Sequence, residues 1–172
     1  LIRNARHIEV QIICDHHGAI SHLHERECTI QRRNQKLIEV APSPSLSDAL
    51  RTRIIEAAKE MAAAANYDNL GTFEFLVDNE RINDKASDQA FAFIEANPRL
   101  QVEHTVTEEV LGLDLVQSQL AVAAGATLGS LGLAQGYIPK PRGFAMQLRV
   151  NMEVMDESGG TRPTGGTLAP FD

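Results

Sequence analysis

One stretch of this sequence joins an apolar run to a series of polar residues: Phe91-Ala92-Phe93-Ile94-Glu95-Ala96-Asn97-Pro98-Arg99-Leu100-Gln101-Val102-Glu103-His104. The polar side chains fall at every second position from 95 to 103, and successive side chains of an extended chain point to opposite faces. Glu95 and Asn97 offer the oxygen ligands that Mg²⁺ takes. Arg99 offers a planar fork for a carboxylate or phosphate, and Glu103 can accept a proton. The pattern predicts a strand that leaves the core and forms one wall of a cleft; the alternative is a solvated loop after an edge strand.

Length and charge limit the classes of protein that the sequence can represent. The chain has 172 residues, enough for one well-buried domain or for one domain and the start of another. Its formal net charge is −7 and its pI is about 5.3, which argues against a general nucleic-acid binder. No apolar run approaches the roughly 18 residues of a membrane span, so no membrane partner is predicted.

The chain ends and the cysteines indicate the context of the sequence. The chain starts with Leu1-Ile2-Arg3-Asn4 and stops at Ala169-Pro170-Phe171-Asp172, with neither an initiator Met nor a targeting pattern. We therefore expect an internal piece of a longer protein. Cys14 and Cys28 match no zinc spacing and make no disulfide framework, so a reducing cytosol is the predicted compartment.

Hydrophobic periodicity predicts the strands and helices. Strict alternation over residues 7–13 predicts a half-buried strand, and a turn at Gly18 leads to a returning strand over 19–25. Further strands are predicted over 37–40, over 72–77, from Phe91 onward and over 144–151. A helix is predicted from Ser45 or Ser47 to about Ala65, with a buried stripe formed by Leu46, Leu50, Ile54, Ala58, Met61 and Ala65.

The second half of the chain is predicted to contain two short helices and a domain boundary. A helical turn over 107–111 closes at Gly112, and Asp114 caps a helix that ends near Ala124. Residues 125–141 have the composition of a loop and form the predicted boundary. The pairs Gly159-Gly160 and Gly165-Gly166 are predicted to be turns on either side of a short ribbon.

Two predicted strands each place one carboxylate on a polar face. Antiparallel pairing of the strands around Phe73-Glu74-Phe75 and Phe93-Ile94-Glu95 would bring Glu74 and Glu95 together, with Asn97 two residues further on. Mg²⁺ is usually held by one or two carboxylates together with substrate phosphates. The pattern therefore indicates a nucleotide site rather than a closed structural metal site.

Four segments together resemble one known family: Arg6-His7-Ile8-Glu9-Val10-Gln11, Ile30-Gln31-Arg32-Arg33-Asn34-Gln35-Lys36, Gly71-Thr72-Phe73-Glu74-Phe75 and Phe93 to His104. They are similar to the biotin carboxylase component of biotin-dependent carboxylases, such as acyl-CoA or pyruvate carboxylase, in the ATP-grasp superfamily. The resemblance extends from about Arg6 to Asn151. Acid-x-Asn-Pro-Arg alone recurs in other ATP-grasp ligases, whereas the continuation Gln-Val-Glu-His-x-Val-Thr-Glu is far more specific.

The resemblance implies an α+β fold, with an antiparallel sheet and helices packed on one face. Residues 1–139 would be the carboxy-terminal part of an ATP-grasp domain that lacks its glycine-rich lid. Residues 140–172 would start a biotin carboxylase carboxy-terminal domain. The family commonly has His at the position of Asn34, and a shorter connection than residues 78–89 provide here.

The resemblance also implies roles for individual residues. Mg²⁺ or Mn²⁺ would be held against the ATP phosphates by Glu74, Glu95 and Asn97. Bicarbonate would be bound by Lys36, Arg99, Gln101 and the Val102 backbone, with Glu103 as its general base. The nucleotide would contact His7, Gln31, Asn34 and Leu76, besides Glu74 and Glu95. Arg149 would stabilise the biotin enolate, so the implied catalytic residues are Glu103, Lys36, Arg99 and Arg149.

The reaction implied by the family converts ATP, bicarbonate and carrier-bound biotin to ADP, phosphate and carboxybiotin. The implied partners are a biotin carboxyl carrier domain, a carboxyltransferase domain or subunit, and further copies of the full-length protein in a homo-oligomer. The segment alone is expected to be inactive, because phosphoryl transfer depends on positioning of the nucleotide from all sides. Two alternatives stay open: another ATP-grasp ligase such as carbamoyl-phosphate synthetase, and a non-catalytic assembly module.

Overall fold

The computed structural model describes residues 4–82 and 90–167. Residues 1–3 and 168–172 at the chain ends, and residues 83–89 of the connection over 78–89, lie outside the described residues. Within the described ranges, no helix is both long enough and apolar enough to cross a lipid bilayer.

Antiparallel strands form one main sheet and one small ribbon. The strands of the main sheet are β1 (Ala5–Cys14), β2 (Ile20–Arg32), β3 (Gln35–Ala41), β4 (Asn69–Asp78), β5 (Phe91–Asn97) and β6 (Ala145–Leu148). Their spatial order is β5-β4-β1-β2-β3-β6, and every neighbouring pair is antiparallel. The ribbon pairs β7 (Glu153–Met155) with β8 (Thr161–Pro163). The predicted α+β class is confirmed, and the first three predicted strands fall within observed ones to within one residue.

The helices pack on both faces of the sheet, which corrects the predicted packing on one face. α1 (Asp48–Ala64) shares a core with the even-numbered residues of β1, including Ile12. α2 (His104–Leu111) and α3 (Leu115–Ala123) share a second core with Ile13. Adjacent side chains of a strand point to opposite faces, so the two cores lie on opposite sides of the sheet. Helical periodicity identifies the buried side of a helix but not the face of the sheet that the helix covers.

The sequence explains where α1 begins and which side it buries. The Ser47 hydroxyl accepts a hydrogen bond from the Leu50 N–H, which caps the first turn. The buried residues of the helix are Leu50, Ile54, Ile55, Ala58 and Ala62. The predicted stripe is wrong at its end, because Met61 is only half-buried and Ala65 is exposed. A spacing of four residues places Ala62, rather than either of these, directly above Ala58 on the helix.

β6 follows the predicted domain boundary and yet pairs with β3 in the main sheet. Only Ala145–Leu148 of the predicted 144–151 strand has strand structure. The division of the chain between residues 139 and 140 stays a prediction.

The predicted ribbon is corrected in one respect. Gly159 and Gly160 lie in the turn between its two strands, so the ribbon does not lie between the two glycine pairs.

Gly71 of β4 lies in close contact with its neighbours, which predicts that it tolerates no side chain. A Cβ at this position would lie 1.8 Å from Tyr67 Oη and 2.8 Å from the Asn97 carbonyl oxygen. We expect Gly71→Ala to lower the free energy of unfolding by about 1–3 kcal/mol, because the Asn97 backbone belongs to β5 and moves only with that strand. Equilibrium urea unfolding measures the loss. Gly136→Ala is the control, since a Cβ there would meet nothing within 4 Å; equal stability of the two variants would contradict the expectation.

Candidate active site

A cavity of about 420 Å³ opens on the sheet face that carries α2. Its walls contain every predicted site residue except Leu76, namely His7, Gln31, Asn34, Lys36, Glu74, Glu95, Asn97, Arg99, Gln101, Val102, Glu103 and Arg149. Arg33 and Gln35 also line the cavity; both lie in the basic segment Ile30 to Lys36 on which the resemblance rests, which assigns neither of them an individual role. The fold thus brings together side chains that are up to 142 residues apart in a single concave surface, while their individual roles stay predictions.

The wall predicted from residues 95–103 forms, but along a different backbone path. β5 ends at Asn97, and the Arg99 N–H donates to the Asn97 carbonyl at 2.9 Å in a tight turn. Pro98 has no N–H to continue the ladder, which explains why the strand stops before it. α2 begins at His104, three residues earlier than the predicted helical turn, with Glu103 as its N-cap residue. The prediction of a continuous strand is therefore wrong, and the later polar residues reach the cavity from a turn.

Lys36 reaches the cavity because a two-residue hairpin turn joins β2 to β3. Arg33 and Asn34 form this turn with φ values of 50° and 64°, and Arg32 pairs with Gln35. Such left-handed conformations are required by the tightest hairpin turns, and Asn adopts them more readily than most residues do. The sequence chemistry of the turn therefore fixes the position at which Lys36 enters the next strand.

Lys36 lies at the centre of three carboxylates. Its Nζ donates hydrogen bonds to Glu9 Oε2 at 2.6 Å, to Glu103 Oε1 at 2.8 Å and to Glu74 Oε1 at 3.2 Å. Burial alone would lower the pKa of Lys36, but the charge of Glu9 and the hydrogen bond to Glu103 raise it above its ordinary value. A permanently charged ammonium group therefore holds the anions of the site together.

A fully buried ion pair lies beneath Lys36, and the sequence patterns do not predict it. Arg26 donates through Nε to Glu9 Oε1, and through Nη1 to Gln11 Oε1 at 2.8 Å and Thr107 Oγ1 at 2.9 Å. Neither side chain of the Arg26–Glu9 pair is exposed to solvent. The signal that could have identified Glu9 was its place in the polar alternation of β1. No local pattern marks Arg26, whose partners come from β1 and α2.

Glu103 is held between two cations. Its Oε1 accepts the hydrogen bond from Lys36, and its Oε2 accepts one from Arg149 Nη2 at 2.9 Å. Burial alone would raise the pKa of Glu103, but the hydrogen bond and the charge of Lys36 lower it below its ordinary value. The side chain is 2% exposed. Glu103 is therefore ionised at neutral pH, which is the form that a general base requires.

Glu74 and Glu95 lie opposite each other on β4 and β5, as the sequence predicts. Asn97 Nδ2 donates to Glu74 Oε1 at 2.8 Å and to Glu95 Oε1 at 3.2 Å, so one amide group links both carboxylates. Gln101 Nε2 donates to Glu74 Oε1 at 2.9 Å, and His7 Nε2 is hydrogen-bonded to Glu74 Oε2. Burial alone would raise the pKa of Glu74, but the hydrogen bonds from His7 and Gln101 lower it to about 2.

The donor set formed by Glu74, Glu95 and Asn97 fits a hard divalent cation. Two carboxylates and an amide converge from adjacent strands, and the exposed side of Glu95 leaves room for the phosphate oxygens that complete nucleotide-bound Mg²⁺ sites. A second group, formed by His7, Glu9 and Glu74, has ligand atoms within 4.8 Å of one another. Both oxygens of Glu9 are already bound to buried or half-buried cations. The first set is therefore the better cation site.

The residues expected at the nucleotide lie at one side of the cavity. His7 Nδ1 accepts a hydrogen bond from Gln31 Nε2 at 2.7 Å, so the ring proton lies on Nε2, toward Glu74. Asn34 lies at the tip of the hairpin turn. Leu76 pairs with His7 across β4 and β1 but does not line the cavity, and its predicted nucleotide contact stays a prediction.

The lowered pKa of Glu74 predicts how stability depends on pH. Its folded-state value of about 2 lies below the ordinary value of 4.5. Ionised Glu74 therefore stabilises the folded chain above about pH 4.5, and this contribution is lost as the pH falls from there toward about 2. We expect Glu74→Gln to make the decline in the free energy of unfolding below about pH 4.5 less steep. Urea unfolding at several pH values between about 7 and 3.5 measures the slope, and an unchanged slope in the variant would contradict the expectation.

Known proteins of similar sequence identify the family to which this sheet and its carboxylate-lined cavity belong. The chain belongs to the family of the carbamoyl-phosphate synthase L chain, ATP binding domain, whose model matches residues 1–131. It is 50% identical to the pyruvate carboxylase of Bacillus subtilis over 176 residues, which cover 99% of this chain and 14% of that protein.

Solved structures share the same fold. The biotin carboxylase domain of a single-chain bacterial carboxylase has a TM-score of 0.78 and 54% identity, and the match covers 90% of this chain and 34% of that one. The biotin carboxylase domain of Hydrogenobacter thermophilus 2-oxoglutarate carboxylase, solved with MgADP and bicarbonate, has a TM-score of 0.78 and 39% identity, over 89% of this chain and 31% of that one. The predicted resemblance to biotin carboxylases is confirmed. The chain spans 13–14% of the length of the pyruvate carboxylases that it matches.

Proposed function

We propose that this chain forms the ATP-, cation- and bicarbonate-binding part of a biotin carboxylase, an enzyme that carboxylates carrier-bound biotin. The observation that carries the proposal is the position of Glu103 between Lys36 and Arg149 in the same cavity as Arg99. A buried, ionised base between two cations is suited to binding a small oxyanion such as bicarbonate and removing its proton.

Bicarbonate is a poor nucleophile, so its attack on ATP requires close positioning and removal of its proton. Arg99 makes only long contacts with other described residues, at 3.4 Å to Leu100 O and 3.5 Å to Asn97 Oδ1, and its guanidinium is available to an anion. The Gln101 side chain is fixed by Thr72 at 2.7 Å. In the proposed site, Lys36 and Arg99 balance the charge of bicarbonate, while Gln101 and the Val102 backbone fix its orientation.

The reaction then follows from the positions of two residues. Glu103 accepts the proton of bicarbonate as a bicarbonate oxygen attacks the γ-phosphorus of ATP, and the bond from that phosphorus to ADP breaks. The carboxyphosphate formed breaks down to CO₂ and phosphate. The released phosphate takes the proton from the ureido nitrogen of biotin, and Arg149, which lies beside Glu103, stabilises the negative oxygen of the enolate formed. The same nitrogen then attacks CO₂ at the place where CO₂ is released, which gives carboxybiotin.

Mg²⁺ or Mn²⁺ is assigned to Glu74, Glu95 and Asn97, where the bound ion would neutralise the charge of the ATP phosphates. The bicarbonate and MgADP in the H. thermophilus structure support this assignment and the bicarbonate site. His7, Gln31, Asn34 and Leu76 are proposed to contact the nucleotide, together with Glu74 and Glu95.

The proposed partners are a biotin carboxyl carrier domain and a carboxyltransferase domain or subunit. A relative from Rhizobium etli was solved as a complete multifunctional pyruvate carboxylase, which supports a multidomain parent. The H. thermophilus domain was solved as a dimer, which supports a homo-oligomer.

We also propose a cytoplasmic location and no role in binding nucleic acids or membranes, in keeping with the acidic composition.

The two other hypotheses have less support. The matching family model is named for carbamoyl-phosphate synthase, but relatives at 45–50% identity are pyruvate carboxylases. A non-catalytic module has no need for an ion network in which Lys36 binds three buried carboxylates, since buried ion pairs contribute little to stability compared with apolar packing.

The test uses the longest native polypeptide that contains this chain, prepared without attached biotin. We expect phosphate release from MgATP to require bicarbonate and to rise on addition of free biotin. Phosphate release that is indifferent to bicarbonate would overturn the proposal. A rise with ammonia or glutamine in place of biotin would instead favour the carbamoyl-phosphate synthetase hypothesis. The isolated 172-residue segment is expected to show no biotin-dependent phosphate release.

A further inference from the structure

We propose that Glu39 is a positioning residue that tethers the Arg149 guanidinium. With Nε held by Glu39, the outer nitrogen Nη2 can bind first to Glu103 and then to the biotin enolate. The proposal rests on the proposed function, and Glu39 is not among the residues to which the family resemblance assigns a role. It is carried by the contacts that Arg149 makes with β3 and with Glu103.

Arg149 is attached to β3 through both its backbone and its side chain. Its N–H donates to the Leu37 carbonyl at 2.9 Å, and its Nε donates to Glu39 Oε1 at 2.6 Å. Its Nη2 donates to Glu103 Oε2 at 2.9 Å. The inner edge of the guanidinium is thus fixed on a buried strand, and the outer nitrogen reaches into the cavity.

Burial of the Glu39 carboxylate lowers the stability of the fold. Its side chain is fully buried, and its Oε2 has no hydrogen-bond partner in the described part of the chain. Burial raises the pKa of Glu39, and the neighbouring Arg149 opposes that shift only in part. A buried carboxylate that is incompletely hydrogen-bonded lowers stability, so packing gives no reason for a glutamate at this position. Its contact with a cavity arginine provides one.

The two bonds of Arg149 respond differently to the proposed reaction. When Glu103 accepts the proton of bicarbonate, it loses the negative charge that attracts Nη2. Glu39 lies outside that step, so its bond to Nε persists. The guanidinium then remains in place with Nη2 released, next to the position at which biotin takes up CO₂. Without Glu39, the backbone hydrogen bond to Leu37 would be the remaining contact between Arg149 and β3 among the described residues. That bond holds the backbone of Arg149 but does not fix the position of its guanidinium in the cavity.

A second buried glutamate supplies a matched control. Glu25 is 1% exposed, and its Oε1 accepts a hydrogen bond from Arg51 Nε at 2.8 Å. Its Oε2, like that of Glu39, has no hydrogen-bond partner among the described residues. This pair joins β2 to α1 and does not line the cavity. Glu25 Oε1 also accepts a hydrogen bond from the Ser43 N–H at 3.1 Å. Glu25→Gln therefore neutralises a buried carboxylate that is paired with one arginine, as Glu39→Gln does, without touching Arg149.

The experiment compares two rates in the longest native polypeptide, prepared without attached biotin: bicarbonate-dependent ATP cleavage alone, and the increase caused by free biotin. We expect Glu39→Gln to reduce the biotin-dependent increase by at least about tenfold, as the loss of one charged hydrogen bond can. ATP cleavage without biotin should stay within about twofold of the original protein. Glu39→Asp, which keeps the charge, should recover part of the loss, and Glu25→Gln should leave both rates within about twofold.

The proposal is overturned if Glu39→Gln lowers both rates by the same factor, if it changes neither, or if Glu25→Gln gives the same selective loss. Should Glu39→Gln fail to fold, Glu39→Asp decides by the same criteria, with a smaller selective loss expected because its shorter side chain weakens the bond to Arg149. Absence of bicarbonate-dependent ATP cleavage in the original protein would contradict the proposed function, and is thereby distinguished from failure of the tether.

Discussion

Replacement of Glu103 by Gln is expected to reduce bicarbonate-dependent ATP cleavage by about 10²- to 10⁴-fold, the usual contribution of a general base. Gln keeps the size of the side chain and can still accept a hydrogen bond from Lys36, but it cannot take the proton of bicarbonate. The affinity for MgATP should stay within about twofold, because Glu103 is not among the residues assigned to the nucleotide or its cation. Phosphate-release assays and nucleotide titration measure the two quantities.

Glu109→Gln is the control for this variant. Glu109 lies on α2 with Glu103 at its start, and it is exposed. Its replacement should change neither quantity by more than about twofold. If Glu103→Gln retained half or more of the original bicarbonate-dependent activity, Glu103 would not be the base.

Replacement of Lys36 by Met is expected to affect both activity and stability. The variant leaves Glu9, Glu74 and Glu103 close together without the ammonium that binds all three. We expect the free energy of unfolding to fall by about 3–5 kcal/mol near neutral pH, as when one partner of a buried ion pair is removed. Bicarbonate-dependent ATP cleavage should fall by at least about 10²-fold, because a cation at the reacting anion is lost.

The stability difference caused by Lys36→Met should depend on pH in a defined direction. Lys36 lowers the pKa values of Glu74 and Glu103 in the folded protein. The stabilisation is therefore present above the ordinary carboxyl pKa and disappears as the carboxyl groups become protonated. Urea unfolding of both proteins at about pH 7 and about pH 4 measures this. A constant difference would count against the ion network, and Lys59→Met, on the surface of α1, is the control with an expected effect below about 1 kcal/mol.

The sequence predicted those parts of the site that depend on local alternation. A period of two puts Glu74 on the polar face of its strand, and the same rule on the next strand puts Glu95 opposite it, as the register shows. The later residues of the 95–103 wall were predicted for the wrong reason. They line the cavity because a turn follows Pro98, although the pattern alone suggested a continued strand.

The buried charges beneath the cavity could not be predicted from local patterns. Arg26 and Glu9 are 17 residues apart, and Arg149 and Glu39 are 110 apart. The first pair forms across the β1–β2 hairpin, whose register is shifted by an irregularity between Val10 and Ile12. The second forms because β3 and β6, which are far apart in the chain, are neighbours in the sheet. From sequence alone, a charged residue within a strand is interpreted as exposed to solvent, because its partner on the neighbouring strand is not known. For the same reason, the face of the sheet that each helix covers depends on chain connections and not on periodicity.

The cavity is built on strands of unequal local stability. β1 lies inside the sheet with a long strand on either side, whereas β6 is an edge strand held through four residue pairs of β3. Edge strands open at lower free energy than central ones, so the backbone amides of β6 should exchange with deuterium well before those of β1. Arg149 directly follows β6, while His7 and Glu9 belong to β1. Local opening of β6 would therefore displace Arg149, the residue assigned to biotin, while the residues of β1 that are near the nucleotide stay in place.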